Sequence, residues 1–148
     1  MPARTAQTIW RGSIETVNGK VELASSHTGR YDVSFPRRTA ERGGGTTSPE
    51  ELIAAAHSSC YAMQLSALIG AAGGTARRLE VTADVSLGPD PAGGFRLTGI
   101  NLTLGGGVEG LDAETYTRLA DEAKAGCPVS EALAGVEIAI QIQTLTLG

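Results

Sequence analysis

Apolar and polar positions alternate loosely over residues 6–14 and 19–25, and Asn18-Gly19 between them is a hairpin dipeptide, so two paired strands are predicted. Tyr31, Val33 and Phe35 share one face of a third alternating run. Arg37 and Arg38 follow, then a loop through Gly43, Gly44 and Gly45. At Ser48 the period changes. Ser48 can cap a helix, Pro49 suits the first helical position, and Glu51 completes a capping box. That helix is predicted to run to Ala71 or Ala72 and to stop at Gly73-Gly74.

Downstream, Leu79, Val81, Ala83, Val85 and Leu87 alternate cleanly with polar residues, and a turn over 88–94 leads to a second strand over 95–104. Asp112 caps a helix predicted over 113–125, with Tyr116, Leu119, Ala120 and Ala123 as its apolar stripe. Cys127-Pro128 opens a short helix to Leu133, and a last strand covers 136–147, with Ile138, Ile140, Ile142 and Leu145 or Leu147 facing inward. This order, β-β-β-α-β-β-α-α-β, predicts an α+β fold with mostly antiparallel sheets, as a single domain over residues 1–148.

The 148 residues carry 12 basic and 16 acidic side chains, for a net charge of -4. There is no basic run, and aromatic residues are only 4 %, so no nucleic-acid partner is expected. The first ten residues have no apolar core of a secretory signal. Two cysteines are too few for a disulfide-stapled scaffold, and two histidines cannot assemble a zinc site at recognised spacing. The expectation is a cytoplasmic protein without metal or cofactor. Leu52 to Ala76 lacks any charged residue and is long enough to cross a bilayer. His57, Ser58, Ser59, Gln64 and Ser66 would be costly in lipid, so a helix buried on most sides within protein is predicted instead.

Five groups could carry chemistry. Cys60, midway along the uncharged helix, reads from position alone as a small buried hydrophobe. Cys127 precedes Pro128 at a helix N-cap, where unpaired amides favour thiolate, so a reactive thiol and a plain corner residue are equal readings. His57 lies three residues before Cys60, and a core imidazole bonded to a carbonyl is preferred to a Cys–His pair, because no orienting carboxylate is evident. Glu50 and Glu51 suit a first helical turn, and Arg37 and Arg38 suit a solvated strand end.

A resemblance changes these weights. Thr46-Thr-Ser-Pro-Glu-Glu-Leu-Ile-Ala-Ala-Ala-His-Ser-Ser-Cys60 resembles the first-cysteine motif of the OsmC/Ohr family, and Ala123-Lys-Ala-Gly-Cys-Pro-Val-Ser130 resembles its second. His57 and the Cys-Pro-Val-Ser wording favour the OsmC branch over Ohr. The resemblance implies an OsmC-like fold, an intertwined homodimer around a long buried central helix, and thiol-dependent reduction of organic hydroperoxides. It makes Cys60 peroxidatic and Cys127 resolving, with Glu50 and Arg38 as the glutamate and arginine of the site; Arg37 is the alternative arginine. A lipoyl-type dithiol is the implied reductant.

Ten residues of helix put Glu50 and Cys60 about 15 Å apart along the axis, so one chain cannot bring them together. Arg38 and Glu50 of one subunit are therefore expected to complete the site around Cys60 of another, in an isologous dimer without a membrane partner. An apolar pocket of Met63, Tyr61 and Phe35, extended by Ile53 or Leu68, is expected to take an alkyl tail. Two rival readings stand: a hot-dog-like thioester hydrolase using Glu50 as base, and a redox sensor or ligand-binding module without turnover.

Overall fold

A computed structural model describes the backbone of all 148 residues and every side chain except those of residues 144 and 145; the inward orientation expected for Leu145 lies outside the described residues. The chain forms two units, residues 1–52 and 53–148.

In the first unit, β1 (Gln7–Ile9), β2 (Gly19–Glu22) and β3 (Arg30–Val33) form an antiparallel sheet in that order. The expected tight turn at Asn18-Gly19 is absent. Ile9 pairs with Lys20, so residues 10–18 form a loop and Gly19 begins β2. Gly19 is needed for a different reason: a Cβ there would come within 2.5 Å of the Trp10 ring. Nor does the third strand reach Phe35. Ser34 accepts a hydrogen bond from the Arg37 amide, Pro36 cannot extend a ladder, and Phe35–Arg38 turns into a short helix, α1.

The long helix α2 (Pro49–Ala71) begins in the first unit and continues into the second. Ser48 caps it, accepting from the Glu51 amide at 3.1 Å. The capping box is altered: the Glu51 carboxylate takes the Thr47 hydroxyl, at 2.5 Å. The helix ends as expected, with amides of residues 72–74 bonded to the carbonyls of Leu68, Gly70 and Ile69.

In the second unit, β4 (Thr75–Pro89) and β5 (Phe95–Glu109) form a long antiparallel hairpin, and β6 (Ile138–Leu147) lies parallel to β5. A parallel neighbour needs a crossover, which α3 (Ala113–Gly126) and α4 (Pro128–Ala132) supply. β5 is longer than predicted because Gly105, Gly106 and Gly107 continue it. Gly106 sits opposite Leu79 at φ +116°, where a Cβ would collide with the Arg78 carbonyl, beside an irregularity between Ala76 and Arg78.

The core of this unit joins Tyr61, Leu65 and Ile69 of α2 to Ile100, Leu102 and Leu104 of β5 and to the predicted stripe of α3. Each such aliphatic side chain contributes about 1.5–3 kcal/mol of burial. Along α2 the fully buried residues recur every fourth position: His57, Tyr61, Leu65 and Ile69. Of the most apolar 18-residue window only 22 % is buried. Burial on most sides is thus corrected to burial on one side within a single chain, because the sheet and α3 cover one face. Ala56, Ser59, Met63, Ala67 and Gly70 are exposed on the rest, Met63 at 73 %.

Candidate active site

In the first unit α1 and the start of α2 bring together the two charged residues singled out by sequence. Arg38 is the last residue of α1 and Glu50 lies in the first turn of α2. The Arg38 guanidinium donates from Nη2 to Glu50 Oε1 at 2.7 Å and from Nε to both carboxylate oxygens at 3.1 and 3.2 Å. Glu50 is buried, which works to raise its pKa, but the Arg38 bonds and charge, with its own backbone amide and the Ser48 hydroxyl, outweigh that and hold the carboxyl below its ordinary value. Arg37, the alternative arginine, lies instead over the glycine loop beside Gly44.

Arg38 also borders a mainly apolar pocket of about 290 Å³ lined by Trp10, Ile14, Val33, Ser34, Phe35 and Pro49. Of the pocket walls expected from sequence, only Phe35 is here. Tyr61 is fully buried with its hydroxyl donating to the Ala120 carbonyl, and Met63 lines a different groove with Ala62 and Ser66. Trp10 and Ile14 were not anticipated, since both fall in a stretch read as strand. The sole tryptophan of an aromatic-poor chain was the available signal.

In the second unit the two cysteines, 67 positions apart in sequence, come to 3.1 Å between sulfurs. Both are free thiols; Cys127 is buried and Cys60 half-buried. A disulfide needs about 2.05 Å, so closure requires a shift of only about 1 Å. Burial pushes the Cys60 thiol up, and the hydrogen bond shared with Cys127 adds to this, opposed by the Val129 amide. At Cys127 burial also acts to raise the pKa. There the Cys60 hydrogen bond, the Ser130 amide and hydroxyl, and the Val129 amide win, and the thiol is lowered. Cys127 is indeed the N-cap of α4, although its sulfur makes no cap hydrogen bond of standard geometry.

His57 does not bond a carbonyl, as sequence suggested. Its Nε2 lies 2.7 Å from the Ser130 hydroxyl, and both residues are buried. Burial lowers the imidazole pKa. Ser130 lies in the second-cysteine motif, but nothing in sequence spacing links positions 57 and 130.

The family described as OsmC-like protein matches residues 42–142. The chain is 41 % identical over 131 residues to Peroxiredoxin OsmC of Escherichia coli strain K12, covering 88 % of this chain and 89 % of the relative. It is 29 % identical over 142 residues to Organic hydroperoxide resistance protein OhrA of Bacillus subtilis strain 168, covering 93 % and 98 %. Among solved structures, an organic hydroperoxide resistance protein from Elizabethkingia anophelis superposes with a TM-score of 0.77 at 25 % identity, covering 100 % of this chain and 98 % of that one.

Proposed function

The chain belongs to the OsmC-like family, the OsmC branch being favoured, and on that premise we propose that it is a cysteine-based peroxidase that reduces organic hydroperoxides to alcohols. The observation that carries this reading is the pair of free thiols at 3.1 Å, one on the long helix and one at the head of α4. Cys60 is the peroxidatic residue. Its thiolate attacks the outer peroxide oxygen, the O–O bond breaks, and the alkoxide leaves as alcohol after taking a proton. Cys60 is then a sulfenic acid. Cys127 attacks its sulfur, a disulfide forms and water leaves, which protects Cys60 from over-oxidation. An external dithiol, of lipoyl type, reopens the bridge by exchange.

Burial and Cys127 together raise the Cys60 pKa, so the site needs a cation to ionise it. Arg38, held by Glu50, is the candidate. Ten residues of continuous helix, about 15 Å, separate Glu50 from Cys60. Arg38 and Glu50 therefore serve Cys60 of the partner subunit, in a homodimer that also covers the exposed, uncharged face of α2. The guanidinium stabilises the thiolate and then the departing alkoxide. The apolar pocket beside Arg38 suits an alkyl tail, so organic hydroperoxides outrun hydrogen peroxide. The protein works in the cytoplasm.

The test is a coupled assay with cumene hydroperoxide and dihydrolipoamide. Wild type turns over; Cys60→Ser does not. Cys127→Ser completes one turnover and then accumulates sulfinic acid, read by mass spectrometry. Steady turnover in both variants would refute the two-cysteine scheme. Activity insensitive to thiol alkylation would point to a thioester hydrolase.

A further inference from the structure

α2 and the first turn of α4 meet at two rungs, three residues apart on each element. Cys60 meets Cys127 at 3.1 Å, and His57 meets Ser130 at 2.7 Å. The chemistry above uses only the first rung. The second places an imidazole and a hydroxyl in the core at a desolvation cost that an apolar pair would avoid. His57 Nδ1 is buried and without a hydrogen-bond partner among the described residues. A buried N–H without an acceptor is the costlier orphan, so the imidazole proton belongs on Nε2, which donates to the Ser130 oxygen. Ser130 is the third residue of α4 and Cys127 its N-cap, a spacing at which the cap side chain faces the third residue, so the Ser130 hydroxyl hydrogen is free to turn toward the Cys127 sulfur.

We propose that His57, acting through Ser130, is a positioning residue for the resolving step: it aims the Ser130 hydroxyl at the Cys127 sulfur and fixes the first turn of α4 beside Cys60. This rests on the peroxidase reading. In that step the Cys127 thiolate attacks the Cys60 sulfenic sulfur, the S–S bond forms, and the S–O bond breaks. Hydroxide leaves and takes a proton to become water; Cys127 is oxidised and Cys60 reduced to the disulfide level. The donor chain His57–Ser130–Cys127 keeps the attacking sulfur ionised without requiring a charged imidazole in the core.

Among the described residues, Cys60 of α2 and Ser130 and the Val129 amide of α4 act on the Cys127 sulfur, and Cys127 in turn acts on the Tyr61 phenol of α2. From α3, Asp121 acts on Tyr61. Asp121 and Lys124, with Glu131 and Glu137, line a groove of about 740 Å³ that reaches Ser130 from outside.

The decisive measurement is the pH dependence of Cys127 alkylation in a Cys60→Ser background. His57→Phe and Ser130→Ala raise the midpoint by about one unit, which lowers the thiolate fraction below the midpoint about tenfold. His57→Gln and Ser130→Thr, which keep a donor and a hydroxyl, restore it. With Cys60 intact, one equivalent of cumene hydroperoxide leaves about tenfold more dimedone-trapped sulfenic acid in His57→Phe than in wild type, following from that thiolate loss. An unchanged midpoint in His57→Phe and Ser130→Ala overturns the inference. If wild type consumes no peroxide, the peroxidase reading fails while the alkylation titration still decides the role of His57. Should His57→Phe not fold, Ser130→Ala and its threonine counterpart carry the test.

Discussion

At the scale of single residues, charge and burial set each thiol. Cys60 and Cys127 touch; burial and the bond they share set Cys60 upward, while that same bond, with the Ser130 and Val129 groups, sets Cys127 downward. On the proposed mechanism Cys60, raised by burial, depends on the Arg38 guanidinium for its ionisation. Arg38→Ala is accordingly expected to raise the Cys60 pKa by one unit or more, measured by alkylation rate in a Cys127→Ser background; Arg37→Ala leaves it in place. Arg38→Ala also strands a buried carboxylate, at a cost of about 1–3 kcal/mol in a urea titration.

Acid provides a second residue-scale test. The folded imidazole of His57 is held below its ordinary 6.5, so the unfolded chain binds the extra proton. The stability this provides is complete above pH 6.5 and is lost as pH falls from there towards the folded pKa. Glu50, lowered from 4.5, adds a further loss in the same direction at more acid pH. The urea midpoint of wild type should therefore drop between pH 7.5 and 5.5, and His57→Gln should drop less. Parallel slopes would show that His57 is not the titrating group.

At the scale of elements, α2 organises the chemistry by its period. Positions 57, 61, 65 and 69 turn inward, and Cys60, one residue off that stripe, is left half-buried beside Cys127. The long hairpin depends on a different local feature, Gly106 at φ +116° against the Arg78 carbonyl. Gly106→Ala should destabilise the fold by about 1–3 kcal/mol, read as a lower thermal midpoint, because both strain and collision oppose the methyl group. A neutral outcome would mean that the strand register can shift.

At the scale of the whole molecule, the uncovered side of α2 bears on assembly. Met63 is 73 % exposed on a helix with no charge beyond its first turn. Met63→Glu, with its charge on that face, should convert a dimer to a monomer in sedimentation velocity and remove peroxide turnover together with it. A fully active wild-type monomer would separate catalysis from assembly.

The elements with strong local signals could be read from the chain alone. Ser48-Pro49 and Gly73-Gly74 bounded α2 because capping and termination are local chemistry, and the alternation of β4 and the stripe of α3 came from period alone. Cys60, Cys127 and Glu50 stand within the two motifs, whereas sequence leaves the choice between Arg37 and Arg38 open. Tertiary structure decided what lies between distant positions: the two sulfurs at 3.1 Å, the Arg38–Glu50 fork, and the His57–Ser130 rung. It also decided the parallel pairing of β6 with β5 and the turn of Phe35 into α1 rather than β3. The physical reason is the same throughout. Caps and periods are fixed by neighbours within a few residues, whereas contacts across a fold are fixed by which faces pack, and no short stretch of sequence states that.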